Sequence, residues 1–357
     1  MTTTVILNDA QLQQVLDQTL RQKQAIIDSA RAGAVPDGQF VFFAAFDGTN
    51  NDRANVQRSG NPLSTNVAQL AIQVETARAS NSARDLAVGY YAGPGTQGSL
   101  TASSWLAPQV VQQVTLKAEQ AYRDFAAQAS VWLEDHPGGS VTAVVTSFSR
   151  GDASAAIFSQ MLYARGLIDP NSGQELIPMG RIAVSAGVLF DPVTTGVSGN
   201  MAFPPNARNI VDIQAQNEYR YLFRAADYSH QAPDSDPAGG ITTVKMLGNH
   251  CDIGGGYDNG LGALSLEAAT EFFRESGLPI AEVPASRAFD AAKPVAVHSE
   301  ETDEHGNKIW DVYSSFTFNY SGINPRLTEK VATPATTDAA TGATVFVMYD
   351  GKSIEVG

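Results

Sequence analysis

Six stretches of the chain are apolar or nearly so, and segments of helical period separate them. Gln39 to Phe46 (QFVFFAAF) has no polar alternation and reads as a strand buried on both faces, as in the middle of a mostly parallel sheet. Leu86 to Tyr91, the run beginning at Val141, Arg181 to Phe190 (RIAVSAGVLF), Asn209 to Ala215 and Thr242 to Leu247 read as further strands. A helix begins within Thr65 to Leu70. Another runs from Trp105 to about Glu134, where His136-Pro137-Gly138-Gly139 stops it, and a third runs to about Arg165. Leu264 to Ser276 is helical after the last strand. Ahead of the first strand, Asn8 caps a helix to about Ala32, ended by Gly33 and Pro36. Its stripe of Leu12, Val15, Leu16, Leu20, Ile26, Ile27 and Ala30 either packs on the parent domain or docks to a partner.

Strands alternating with helices predict an α/β fold with a mostly parallel central sheet flanked by helices. Beyond Pro279 the pattern changes to short β-like segments: Val295 to His298, Ile309 to Tyr320, Thr344 to Tyr349 and Ser353 to Val356. The chain therefore divides into an N-terminal amphipathic helix (1–37), an α/β domain (38–280) and a β-rich C-terminal extension (281–357) expected to pack on the same domain.

Chemistry concentrates at strand ends. Five of the first six residues from Val141 are β-branched, and a helix follows Ser149, so Ser147-Phe148-Ser149-Arg150-Gly151 is a tight strand-turn-helix junction with small residues flanking Ser149. α/β-Hydrolases present a nucleophilic serine in this way, which makes Ser149 the candidate; Ser147 is the poorer one, because Val145 is too bulky for its flank. Asp191 follows a strand and precedes Pro192, as the acid of a triad does. Of five histidines, only His250 follows a buried strand and completes the order Ser149, Asp191, His250. His136 lies at a helix end, His230 in the polar segment SHQAPDSDP, and His298 and His305 beside the acidic run SEETDEHG. Preset donors for a developing oxyanion are expected from the Arg150 amide and from Gly48 or Thr49, in the turn Asp47-Gly48-Thr49-Asn50 after the first strand. A neutral imidazole base predicts loss of activity as pH falls through about 6 to 7.

Composition narrows the class. At 43% hydrophobic and 17% charged, the 357 residues bury a large core, and the net charge of −14 argues against nucleic acid and against adsorption to anionic lipid by charge alone. Contact with lipid then falls to apolar loops, and those bearing Leu100, Trp105 and Leu106, and Met201 and Phe203, are the candidates. One cysteine, Cys251, excludes an intrachain disulfide and a cysteine metal site. No apolar run reaches 18 residues, and the N-terminus has no basic region followed by an apolar segment, so neither a membrane span nor a secretory signal is expected. The run Gly93 to Gly98 matches G-x-G-x-x-G formally. A dinucleotide site is rejected, since Pro94 sits in the turn, no helix follows at once, and Glu119 at the expected distance lies within a helix. No cofactor is expected. Calcium on Asp252 and Asp258, or on Asp47 and Asp52, is the alternative to plain turn-forming aspartates.

Six motifs in order carry a resemblance: FDGTNND (Phe46 to Asp52), TNVAQL (Thr65 to Leu70), YYAGPGT (Tyr90 to Thr96), FSRGDA (Phe148 to Ala153), FDPV (Phe190 to Val193) and GNHCDIGGGY (Gly248 to Tyr257). Over roughly residues 38 to 280 the chain resembles the α/β-hydrolase domain of bacterial type VI secretion phospholipase effectors. The resemblance implies a triad of Ser149, Asp191 and His250 and hydrolysis of glycerophospholipid acyl esters in a competitor's membrane. It further implies cytoplasmic synthesis, export by a secretion apparatus into a target cell envelope, and a protective immunity protein. Three features depart from the family: Ser147 stands at the usual glycine, Asp152 at a position mostly alanine, and the acidic and basic helix-like motif before the histidine is barely recognisable in Arg224 to His230. A general carboxylesterase and a binding module with a degenerate elbow are the competing readings.

Overall fold

This computed structural model describes residues 2–81, 85–96, 108–218, 220–232, 240–258, 260–300, 326–333 and 335–356. In chain order the elements begin with β1 (Thr2–Val5), α1 (Asp9–Asp28), β2 (Phe40–Phe46), α2 (Asn66–Asn81), β3 (Leu86–Tyr91), α3 (Pro108–Asp135), β4 (Val141–Phe148) and α4 (Gly151–Arg165). A small hairpin of β5 (Leu167–Ile168) and β6 (Glu175–Ile177) leads to β7 (Ala183–Phe190), β8 (Ile210–Ala215), β9 (Ala225–Asp227), β10 (Ile241–Met246), α5 (His250–Gly254) and α6 (Gly260–Glu275). The remainder supplies β11 (Val297–Glu300), β12 (Thr328–Lys330), β13 (Thr336–Thr337), β14 (Thr344–Val347) and β15 (Ser353–Glu355).

The six apolar stretches form one sheet in the order β3-β2-β4-β7-β8-β10, with every neighbouring pair parallel. Both faces are covered, which is why β2 shows no polar alternation. Phe40, Phe42 and Phe46 pack with Phe125 of α3 and Phe158 of α4; Val41 and Phe43 pack on the other side with Leu70 of α2 and Phe273 of α6. Each such ring withdrawn from water contributes about 1.5–3 kcal/mol. The result is an α/β-hydrolase-like fold. The chain enters at β2, moves outward to β3, then returns to β4 on the far side of β2 and continues through β7, β8 and β10. The connections leaving β2 and β4 therefore part in opposite directions, opening a crevice at their carboxyl ends.

Helix α1 starts as expected, with Asn8 and Gln11 forming a capping box. Val15, Thr19 and Ile26 are buried, and Lys23 reaches Glu267 of α6 at 2.5 Å, so the stripe packs on its own domain. Leu20 lies off the stripe, 47% exposed.

The C-terminal strands also sit on the domain. β12 pairs in parallel with β9, and Phe346 and Met348 enter the core shared with α3 and α4. This overturns one expectation. Met201 and Phe203, assigned to a lipid-facing loop, are each only 1% exposed. The Met201 amide donates to the Val331 carbonyl at 3.0 Å, Asn200 donates to the carbonyls of Thr333 and Val347, and Phe203 packs on Tyr228. The loop lacks periodicity and so reads as exposed, but the extension folds over it. Leu100, Trp105 and Leu106, and the segment Ile309 to Tyr320, lie outside the described residues. Among the described residues no helix is long and apolar enough to cross a membrane.

Candidate active site

Ser149 stands in the crevice, at the turn between β4 and α4, with φ of 55°. A left-handed serine costs about 1–2 kcal/mol and persists only where neighbours hold it. Here its amide donates to the Phe190 carbonyl at 3.1 Å, and its own carbonyl accepts from the Val193 amide at 3.2 Å. Gly151 is required by close approach: a Cβ there would lie 2.6 Å from the Asp47 carbonyl oxygen. Two of the departures from the family pattern touch each other. The Ser147 hydroxyl donates to Asp152 Oδ1 at 3.4 Å, while the Tyr228 hydroxyl donates to Asp152 Oδ2 at 2.5 Å. Burial pushes the Asp152 carboxyl up to about 7, against the lowering effect of those two hydrogen bonds. Asp152 is thus a buried tie between α4 and Tyr228.

Asp191 immediately follows β7, also left-handed at φ of 44°; it lies between Phe190 and Val193, whose main chain holds Ser149, and its own amide donates to the Ile213 carbonyl at 2.7 Å. Its Oδ2 lies 2.5 Å from His250 Nδ1. Its Oδ1 accepts from the Ala215 amide at 2.8 Å and from the Arg326 guanidinium. Burial would raise the Asp191 carboxyl, but the Arg326 charge and the His250 bond outweigh it and hold the group below the usual carboxylate range. His250 is the first residue of α5. Asn249 caps that helix, accepting from the Asp252 amide at 2.8 Å while the Asp252 carboxylate accepts from the Asn249 amide at 3.1 Å. The imidazole is packed between the rings of Phe148, at 4.5 Å, and Phe223, at 5.0 Å. The residue preceding the candidate nucleophile therefore lies against the candidate base.

With Nδ1 held on a carboxylate, that nitrogen carries the proton and Nε2 is left as the proton acceptor. Burial lowers the His250 pKa below its ordinary 6.5, and the Asp191 bond opposes this without reversing it. The base form therefore persists to lower pH than the range of 6 to 7 read from an unperturbed imidazole. In a pH profile of kcat/KM for ester hydrolysis, the acid limb is expected to have its midpoint below 6.5. A midpoint at 7 or above would assign the titration to another group.

The turn after β2 forms the opposite lip. Burial raises the Asp47 carboxyl to about 6, although Tyr90, the Gly48 amide and Thr65 all donate to it, at 2.6, 2.8 and 2.9 Å. Its bond to the Gly48 amide removes Gly48 from the oxyanion donors named from sequence. Thr49 remains, and its hydroxyl accepts from Arg150 Nη1 at 3.1 Å, so the side chain of the residue after Ser149 spans to that lip. Arg150 Nε donates to the Thr195 carbonyl at 2.8 Å, and burial lowers its pKa to about 10. The Gly93 turn braces the lip, with the Asn50 amide on the Pro94 carbonyl at 2.8 Å and the Gly93 amide on the Asn51 carbonyl at 2.9 Å.

The remaining described histidines lie elsewhere: His136 stacks on Trp132, His230 lies on the short 3-10 helix Ser229–Gln231, and His298 pairs with Asp252 Oδ1 at 2.8 Å. Of the carboxylates named for calcium, Asp47 and Asp252 have both oxygens engaged by these donors. Among the described residues no group of three or more metal-ligating side chains comes together.

Arg326 was not legible in the sequence. It is 7% exposed, just before β12, and reaches Asp191, the Ala215 carbonyl and the Phe223 carbonyl. Its local sequence, GINPRLTEK, reads as a solvated loop; only the β12–β9 pairing carries it to the site. Phe223 is further supported by Arg220, whose guanidinium lies 3.4 Å from the ring centroid and forms a double hydrogen bond to buried Glu218.

No family model matches the chain, and no curated protein matches it. Among solved structures it is similar to the Tle1 effector bound to the VgrG spike of the type VI secretion system, at 19% identity over 62% of this chain and 52% of that one, with a TM-score of 0.43. An uncharacterised protein from Pseudomonas aeruginosa gives 15% identity over 80% and 52%, with a TM-score of 0.43. Esterase 2 of Thermogutta terrifontis gives 16% over 69% and 87%, with a TM-score of 0.33. The chain spans about half the length of the first two.

Proposed function

We propose that the chain is a serine hydrolase in which Ser149, His250 and Asp191 cleave the acyl esters of glycerophospholipids. The observation that carries this reading is the buried 2.5 Å pair of Asp191 and His250, set beside a left-handed serine whose amide is bonded to the residue preceding Asp191. In the reaction, Ser149 Oγ bonds to the ester carbonyl carbon as His250 Nε2 takes its proton, and Asp191 stabilises the imidazolium. The Thr49 and Arg150 amides receive the developing oxyanion, each such donor supplying about 3 kcal/mol. Collapse expels the lyso-lipid alkoxide, which takes the proton from His250. Water then releases the fatty acid by the same route and restores Ser149.

The lipid substrate rests on the six ordered motifs, as do export by a secretion apparatus, an immunity partner and action in a target envelope. With Met201 and Phe203 buried, an exposed apolar side chain beside the site among the described residues is Leu222. It is 39% exposed on the short 3-10 helix Tyr221–Phe223, whose Phe223 flanks His250. Phospholipid vesicles incubated with purified protein are expected to yield lysophospholipid and free fatty acid by mass spectrometry. Turnover of short-chain esters with no lipid product would leave a general carboxylesterase, and no turnover of either would leave a binding module.

A further inference from the structure

At the amino ends of the sheet strands, a cavity of about 630 Å³ is lined by three arginines and by no acidic residue. Arg31 comes from the connection between α1 and β2, Arg181 from the residues before β7, and Arg208 from those before β8. The Arg31 amide donates to Asn209 Oδ1 at 2.9 Å, which joins the first of these segments to the third. All three side chains are exposed, and none of their guanidinium groups has a hydrogen bond or ion pair among the described residues. In a chain with 37 acidic and 23 basic residues, three unopposed guanidinium groups around one hollow run against the overall balance.

We propose that this cavity binds a phosphate group, free or esterified. Arginine forks match phosphate oxygens two at a time, and three of them around one space match the several oxygens of a phosphate better than the two of a lone carboxylate. The cavity lies in the size range of small-ligand sites, with room for a diphosphate or a larger phosphorylated compound. The net charge of −14 does not forbid this, because at physiological salt charges beyond about 8 Å are largely screened and the nearest groups decide. The position matters as well. Ser149 and His250 lie beyond the carboxyl ends of the strands, and an eight-residue strand such as β4 spans roughly 26 Å. The cavity is therefore separate from the candidate active site and independent of the reading of that site. A lipid headgroup held here would turn the crevice away from the membrane, which favours a soluble phosphate compound.

The probe is sodium pyrophosphate, titrated calorimetrically into the full chain at low salt. Saturable sub-millimolar binding is expected, weakened by added salt and by at least about tenfold in Arg31→Gln/Arg181→Gln/Arg208→Gln. Arg78→Gln on α2 is expected to bind like the parent, and the triple variant to keep its melting temperature and ester turnover. Vesicles containing an anionic phospholipid form the second arm, read as the difference in sedimentation between parent and triple variant. A difference there assigns the phosphate to a headgroup; pyrophosphate binding without it assigns a soluble ligand. Failure of pyrophosphate to bind at millimolar concentration, or equal binding by the folded triple variant, overturns the proposal.

Discussion

Ser149→Ala is expected to lower ester hydrolysis by on the order of 10⁴-fold or more and to abolish labelling by a fluorophosphonate, with the fold unchanged. Losing the nucleophile removes the covalent route altogether, leaving only the binding and oxyanion contributions of the crevice. The backbone makes this test sharper than a loss of activity alone. Ser149 is left-handed, so alanine keeps its strain, whereas glycine relieves about 1–2 kcal/mol and costs about 0.5–1 kcal/mol in chain entropy. Ser149→Gly is therefore expected to be as inactive as the alanine variant yet at least as stable as the parent by denaturant melt. A glycine variant clearly less stable than the alanine one would mean that the serine is not held in the left-handed turn. Retained labelling in the alanine variant would move the nucleophile elsewhere.

Arg326→Gln is expected to be the most damaging single change outside the triad. It removes the buried cation from Asp191 Oδ1, leaving a carboxylate with the Ala215 amide and His250 as its partners. Breaking such a pair costs about 3–5 kcal/mol. The sign with pH follows from the depressed Asp191 pKa. A carboxyl held below its unfolded value stabilises the fold above that value, and this stability is lost as pH falls through the folded pKa. The stability gap between parent and variant should thus be full at neutral pH and shrink in acid below about 4, where Asp191 protonates in both. Activity should respond in parallel: with the Arg326 cation gone, the Asp191–His250 pair takes up a proton more readily, and the acid limb of kcat/KM moves up. Arg326→Lys, which restores the charge, is expected to recover much of that limb. A variant with reduced stability but an unmoved limb would make Arg326 a packing residue rather than a positioning one for Asp191.

The same arginine marks the boundary of what the residues alone disclose. The strand-turn-helix at Ser149, the acid at the end of β7 and the histidine after β10 were all legible, because each depends on a local rule. A β-branched run makes a strand, small residues permit the sharp turn, and strand ends carry the loops of a parallel sheet. The sheet itself was legible for the same reason, since six apolar stretches spaced by helical segments leave little choice but a covered parallel sheet. His250 escaped in part: Asn249 and Asp252 hold a capping box that places it on a helix, a signal overshadowed by Gly248 and Gly254 to Gly256.

What the tertiary structure decided is every contact made between segments distant along the chain. Met201 is bonded to a residue more than a hundred positions later and Phe203 is packed on Tyr228, and nothing in their own surroundings announces the cover. Asp47 turns back onto the Gly48 amide, and Asp152, an acid close to Ser149 in the chain, finds its partner in Tyr228, 76 residues later. Periodicity reports which face of an element meets the core, so it recovers the frame of this protein. It carries no record of which remote side chain meets which, and the electrostatics of Asp191, His250 and Arg326 are set by those meetings.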